Sequence, residues 1–212
     1  MFQFTTRSRG TTHARRIALS RLRGFTLIEL MVAVSVLAIL LAIGVPRLQS
    51  FVASSRMRAA SHDLYSALQT ARMEAIRRNQ RVTVCKANTD FSNCNNSGNW
   101  HSGWIVFVDR TVRATPAVDS TDTILQVRQA LAPDIVITGN GGASGTATYV
   151  SFGADGASKQ LNGAFLAGTL RVCSTSAALS NDTRARHLVI NASGRIISDP
   201  VTGVASTCPA PT

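Results

Sequence analysis

From Phe25 to Val45 the chain reads FTLIELMVAVSVLAILLAIGV, 21 residues in which Glu29 is the one charge. A helix of that length, at 1.5 Å per residue, spans about 31 Å, close to the hydrocarbon thickness of a bilayer. Immediately before it, Arg7, Arg9, Arg15, Arg16, Arg21 and Arg23 put six positive charges into 24 residues that contain no acid. A buried helix of a globular core explains poorly why so uniform an apolar run abuts six arginines. A cleaved secretory signal has the same basic front, but it needs a shorter apolar region and a small-residue cut site. Gly44-Val45-Pro46-Arg47 offers no such site. The arginines are expected on the cytoplasmic side and everything after Arg47 across the membrane. The expected chain spans once.

Glu29 is the anomaly in this run. A carboxylate at mid-bilayer costs about 2.5–3.5 kcal/mol, so an acid there usually has a task. It lies four residues past Phe25, one helical turn. A cut between Gly24 and Phe25 would place a new α-amine at the head of the helix, where a neighbouring subunit's Glu29 would neutralise it. The plainer alternative is a carboxylate that snorkels to the headgroups.

The run Arg23-Gly24-Phe25-Thr26-Leu27-Ile28-Glu29 resembles the class III signal sequence of type IV pilins and type II secretion pseudopilins. The resemblance implies that prepilin peptidase cuts after Gly24 and N-methylates Phe25, and that Glu29 guides the subunit into a filament. It also implies an inner-membrane protein with its C-terminal head in the periplasm, which joins a pilus or pseudopilus on assembly. The implied organisation is a leader over 1–24, a transmembrane and later filament-core helix over 25–45, an amphipathic continuation over 46–80, and a β-rich periplasmic head over 81–212.

Pro46 is expected to kink the helix without ending it, because an apolar pattern resumes at once. Ala53, Met57, Ala60, Leu64, Leu68, Ala71 and Ala75 recur at helical spacing, with Arg56, Asp63, Thr70, Glu74, Arg77 and Arg81 on an adjacent polar side. Beyond Arg81 the pattern changes to short runs rich in β-branched residues, bounded by Gly, Asn, Asp and Pro. Strands are expected over Arg81–Lys86, Trp104–Val108, Ile124–Gln129, Ile135–Thr138, Thr148–Phe152, Thr169–Cys173, His187–Ile190 and Arg195–Ser198. Without intervening helices they predict antiparallel sheet. The fold class is α+β, a long N-terminal helix packed on antiparallel β-sheet. Arg81–Cys85, Trp100, Gly103–Asp109, His187–Ile190 and Gly194-Arg195 resemble the GspH/FimT group of minor pilins and pseudopilins, which implies the pilin-like form of that fold.

Cys85, Cys94, Cys173 and Cys208 all follow the apolar run. An even number in an oxidising compartment implies two disulfides, and three pairings are open. Cys85–Cys94 is favoured because it would staple the loop after the first strand, leaving Cys173–Cys208 to tie down the C-terminal tail. A metal site at Cys85, Cys94 and His101 is disfavoured, since spacings of nine and seven are not those of zinc ligands. No metal and no cofactor is expected.

Nothing in the sequence assembles a catalytic constellation. His13, His62, His101 and His187 form no ligand motif. The run Gly139–Gly145 lacks both phosphate-loop signatures and has no following helix, so it reads as a turn. Trp100 and Trp104 read as core anchors. The chain is read as a non-enzyme.

Of 22 Lys and Arg, 16 follow residue 24, against 11 acids. The densest clusters are Arg72, Arg77, Arg78 and Arg81, and then Arg184, Arg186 and Arg195. The ordinary explanation is a solvated face or ion pairing between subunits. The resemblance also implies DNA binding, because some FimT-type minor pilins capture DNA through C-terminal arginines in a G-R-x-R pattern. Gly194-Arg195-Ile196-Ile197 lacks the second arginine, and Arg184 and Arg186 are the candidates to replace it spatially. The leading function is a minor pilin that primes type IV pilus assembly. The alternatives are an H-type pseudopilin of type II secretion and a DNA receptor at the pilus tip. The expected partners are prepilin peptidase, other minor and major pilins or pseudopilins, the inner membrane and, on the third reading, DNA.

Overall fold

The structure, a computed structural model, describes residues 24–111, 113–141 and 145–212. Residues 1–23 of the leader and the middle of the glycine-rich run lie outside the described residues. The described residues divide into two units, one ending at Ala42 and the other starting at Ile43.

The N-terminal unit is the first part of helix α1, Leu27–Arg78. Thr26 precedes it, and its Oγ1 accepts the Glu29 amide at 3.3 Å, an N-cap that satisfies one of the orphan donors of the first turn. Every side chain from Gly24 to Gln49 is exposed. Phe25, Leu27, Ile28, Leu30 and Met31 are each more than half open. The most apolar 18-residue window has a mean hydropathy of 2.7, long and apolar enough to cross a membrane. The helix runs through Pro46 without a break.

In the second unit the same helix carries a stripe of buried residues. Ala53, Met57, Ala60, Leu64, Ala67, Leu68, Ala71 and Ala75 are all buried, most of them completely. Five of these eight are alanine, so the helix axis can lie close to the strands it covers. The helix ends with Asn79 in the left-handed region at φ 52°, as a chain-reversing cap.

Eight strands follow: β1 Val82–Lys86, β2 Trp104–Val108, β3 Thr123–Arg128, β4 Ile135–Gly139, β5 Tyr149–Phe152, β6 Gly168–Ser174, β7 Ala185–Ile190 and β8 Ile196–Val201. They form two four-stranded antiparallel sheets, ordered β3-β2-β1-β5 and β4-β6-β7-β8. The expected strands appear, β2 with the expected ends and the others with one or both ends moved by one to three residues. β8 runs past Pro200, which is admissible because β8 is the last strand of its sheet and one side of it makes no ladder. Helix, sheets and the 3-10 turn Trp100–Ser102 share one core that contains Leu64, Leu68, Trp100, Trp104, Phe107, Phe152, Leu170 and Leu188. The architecture is α+β, one long helix on two antiparallel sheets.

β1 and β2 are buried along their whole length, so both of their faces are covered. On one face Thr83 Oγ1 donates to Asp109 Oδ2 at 3.1 Å, and Arg81 forks onto the same carboxylate at 3.1 and 3.2 Å. Asp109 is 5% exposed. Arg81 also donates to the carbonyls of Thr111 and Leu161, so one guanidinium ties the start of the β2–β3 connection to the segment at Leu161. The edge strand β3 is fastened to α1 by Arg128, whose Nε and Nη2 lie 3.1 and 2.8 Å from Asp63 Oδ2.

Glycine is required at two corners. A Cβ on Gly103, at φ +116°, would stand 2.4 Å from Arg128 O, and one on Gly194, at φ +77°, would stand 1.9 Å from Gly156 O. Both positions combine a left-handed backbone with backbone crowding. Leu68 is completely buried, and Leu68→Ala is expected to cost about 2–5 kcal/mol of unfolding free energy, read by chemical denaturation. Gly194→Ala is expected to destabilise as well, through strain rather than a cavity, with no enlarged void in a structure of the variant.

Candidate functional site

The N-terminal residues singled out by sequence stand at the head of α1. Phe25 is 75% exposed, and its ring shares a shallow recess of about 460 Å³ with Ile28, Glu29, Val32 and Ala33. Glu29 lies in the first turn of the helix and has no ion-pair partner among the described residues. Gly24 precedes the helix in open space, and a Cβ there would meet nothing within 4 Å. Peptide bond, aromatic residue and acid are thus ordered along one accessible, apolar helix start.

The cysteines pair as Cys85–Cys94 and Cys173–Cys208, with Cα separations of 5.6 and 5.8 Å, and no free cysteine remains among the described residues. The first closes the loop after β1. Lys86 Nζ reinforces that loop by donating to Asn96 O at 2.9 Å, and burial pushes this ammonium below its ordinary range. The second ties the C-terminal segment to β6 and forms a small separate core with Ala185 and Val204.

The candidate arginines do not make one surface. Arg184 is 4% exposed and is no anion ligand. Its Nη1 donates to Ser174 O and Ser176 O at 2.9 and 3.3 Å, and its Nη2 to Leu179 O. It is a clamp that supplies donors to carbonyls of the β6–β7 connection, which no ladder satisfies. Arg186 pairs in register with Pro200, whereas Arg195 lies in the turn at the opposite end of the β7–β8 hairpin. With four residues of strand between them, at about 3.4 Å each, they stand more than about 13 Å apart. The spatial substitution expected from sequence therefore fails for Arg184 through burial, and Arg186 and Arg195 do not adjoin.

The helix-end arginines are also engaged. Arg72 donates to the carbonyls of Gly156 and Ser193 at 3.0 and 3.2 Å, and Arg81 is held by Asp109. Arg77 and Arg78 both bind Glu74, whose carboxyl they hold down to about 2. Sequence reasoning missed a second feature on α1. Arg58, Ser61, His62 and Tyr65 face Arg186 and Ser198 across a groove. The i, i+3, i+4, i+7 spacing of the helical residues was a visible signal, but their partner strand was not.

His101 sits in the 3-10 turn, where its Nδ1 accepts the Ile137 amide at 3.4 Å, and burial pushes its imidazole below the ordinary range. His187 Nε2 accepts Arg171 Nε at 2.9 Å. Burial lowers this imidazole too, the Arg171 charge lowers it further, and Asp199 opposes them. No group of three or more metal-ligating side chains exists among the described residues. Trp100 and Trp104 are buried, and Trp100 Nε1 donates to Thr146 O at 2.9 Å.

Comparison with known proteins bears on both ends of the chain. The family model described as type II transport protein GspH matches residues 60–194. The chain belongs to the GspH family. A second model, the prokaryotic N-terminal methylation motif, matches residues 19–45, a span that includes Gly24, Phe25 and Glu29. Two crystal forms of the type IV minor pilin FimU of Pseudomonas aeruginosa are similar in structure. The first, in P21, is 19% identical, with 69% of this chain and 90% of that chain covered and a TM-score of 0.49. The other, in P65, is 18% identical, with coverages of 68% and 92% and a TM-score of 0.45. No curated protein matches. The GspH match together with the methylation motif places the chain in the minor pilin and pseudopilin family.

The two depressed histidines set a pH dependence. Their folded forms refuse protons that the unfolded chain accepts below its ordinary histidine value near 6.5, so stability falls as the pH drops through that value. Glu74, already held down to about 2, contributes stability that is lost only below its ordinary 4.5. Thermal melts of the purified chain are expected to drop between pH 7 and pH 5, and less so for the His101→Gln, His187→Gln double variant.

Proposed function

We propose that this GspH-family chain is a minor pilin, an assembly subunit in the priming or tip complex of a type IV pilus. The observation that carries the reading is Gly24-Phe25…Glu29 at the start of an uncovered apolar helix, inside a methylation motif and ahead of a β-rich, disulfide-bonded head. Prepilin peptidase removes residues 1–24 and methylates the Phe25 amine. Before assembly residues 25–45 anchor the subunit in the inner membrane, with the head on the oxidising, periplasmic side, where both disulfides are stable. On assembly the same residues pack among the helices of neighbouring pilins. There Glu29 of one subunit neutralises the terminal amine of another, which removes two uncompensated charges from an apolar medium.

The model description that names type II transport favours a second reading, an H-type pseudopilin of type II secretion. The basic head and its two disulfides support the pilus reading. A DNA-receptor role would rest on Arg186 and Arg195 without Arg184, and a mobility-shift titration with duplex DNA at low salt tests it directly. A deletion strain separates the machines: loss of twitching or DNA uptake with normal enzyme secretion supports the pilus, and the reverse overturns it.

Mass spectrometry of the membrane-extracted protein is expected to show a chain that begins at N-methyl-Phe25. An intact leader would sink the proposal. Glu29→Ala is expected to leave processing intact and to lower recovery in sheared filaments by about tenfold or more, since a lost charge pair of about 1.4 kcal/mol already gives that factor.

A further inference from the structure

Where α1 passes the β7–β8 hairpin, Arg58, Ser61, His62 and Tyr65 face Arg186 and Ser198 across a groove of about 320 Å³. The four helical residues share one face. Arg58 and His62 make no hydrogen bond or ion pair with any described residue. Arg186 is held from behind: Nε donates to Ser198 Oγ at 3.4 Å and Nη2 to Ser198 O at 3.2 Å, while Nη1 has no partner. Tyr65 Oη accepts Gln69 Nε2 at 2.8 Å, which leaves its own proton free to donate. Ser61 is 2% exposed, yet its hydroxyl has no partner among the described residues.

No carboxylate lines this groove. Asp199 is next in sequence to Ser198, but strand alternation turns it to the other face, where it pairs in register with His187. The remaining basic residues of α1 beyond Arg47 have spent their charges on Asp134, Glu74 or backbone carbonyls. Two guanidinium groups, an imidazole and three hydroxyls therefore converge on one acid-free space.

We propose that the groove between α1 and the β7–β8 hairpin binds a phosphate-type oxyanion, with Arg58 and Arg186 as its charged ligands and Ser61, His62 and Tyr65 as further donors. The number of donors decides between anions. A carboxylate's two oxygens lie in one plane and match a single guanidinium fork, whereas a tetrahedral phosphate directs oxygens out of that plane to both walls. Arg186 is preorganised by Ser198, so one of its two walls is ordered before the ligand arrives. The site lies wholly within the second unit, residues 43–212. Free phosphate and the phosphodiester backbone of a nucleic acid share this chemistry.

Calorimetric titration of the full chain in detergent tests it, with sodium phosphate, sodium acetate and a single-stranded oligonucleotide at matched ionic strength. Phosphate is expected to bind at least about tenfold more tightly than acetate. Arg58→Gln and Arg186→Gln are each expected to weaken it about tenfold or more, the usual effect of losing a charged hydrogen bond. Ser61→Ala, a change too small to disturb the fold, should weaken it less. Arg110→Gln, on the β2–β3 connection, should leave it unchanged. Competition between oligonucleotide and phosphate identifies the backbone as source, and its absence identifies free phosphate. No phosphate binding by the folded chain, binding of acetate as tight as phosphate, or equal weakening by Arg110→Gln overturns the proposal.

Discussion

One helix must satisfy two different solvents. Between Leu27 and Gln49 no described residue covers α1, although most of its side chains there are large and apolar. From Ala53 onward the same helix buries a residue on every turn. Each large apolar side chain left in water forgoes about 1.5–3 kcal/mol, so the uncovered stretch demands a cover. Lipid provides one and a bundle of like helices provides another. These covers are interchangeable because both are apolar and neither needs hydrogen bonds from a helix that has satisfied its own backbone.

The head resolves the opposite problem, how to seat a helix on sheet with little bulk between them. Alanines on the buried stripe let backbone approach backbone, and the large side chains come instead from the sheets and the 3-10 turn: Trp100, Trp104, Phe107 and Phe152. Where the core is thin, covalent and polar ties replace it. The Cys173–Cys208 bond is surrounded by little more than Ala185, Val204 and two half-buried valines. A 35-residue cross-link of this kind stabilises by about 2–4 kcal/mol through the unfolded chain. Arg184 and Arg81 do comparable work for loops, each giving several donors to carbonyls that would otherwise be buried without partners.

Most of this was legible in the residues because local signals agreed with one another. The apolar run and its acid announced α1, the stripe from Ala53 to Ala75 announced the buried face, and β-branched runs between turn residues announced the strands. Sheet membership was not legible. β4 precedes β5 in the chain, yet β5 adds to β1 in the first sheet while β4 joins β6 in the second. Nothing in the composition of Ile135–Gly139 or Tyr149–Phe152 encodes that exchange, since both are short, β-branched or aromatic, and mostly buried. The fate of Arg184 was hidden for a related reason. Its ligands are backbone carbonyls of Ser174, Ser176 and Leu179, which any sequence possesses.

Arginine content is therefore a poor guide to surface potential in this chain. Arg72, Arg77, Arg78, Arg81, Arg128 and Arg184 are all committed to carboxylates or carbonyls of the same molecule. Among the described residues Arg47, Arg58 and Arg195 remain without such a partner, and Arg186 is half engaged. Arg47 adjoins the apolar stretch and Arg195 stands in a hairpin turn. Arg58 and Arg186 alone among these four face each other across a concave wall. An anion that meets them there leaves water for two guanidinium groups at once, and the lower dielectric of a groove strengthens each contact relative to a flat, solvated face. What an even spread of positive charge would do weakly and everywhere, this head concentrates between two turns of helix and the edge of one hairpin.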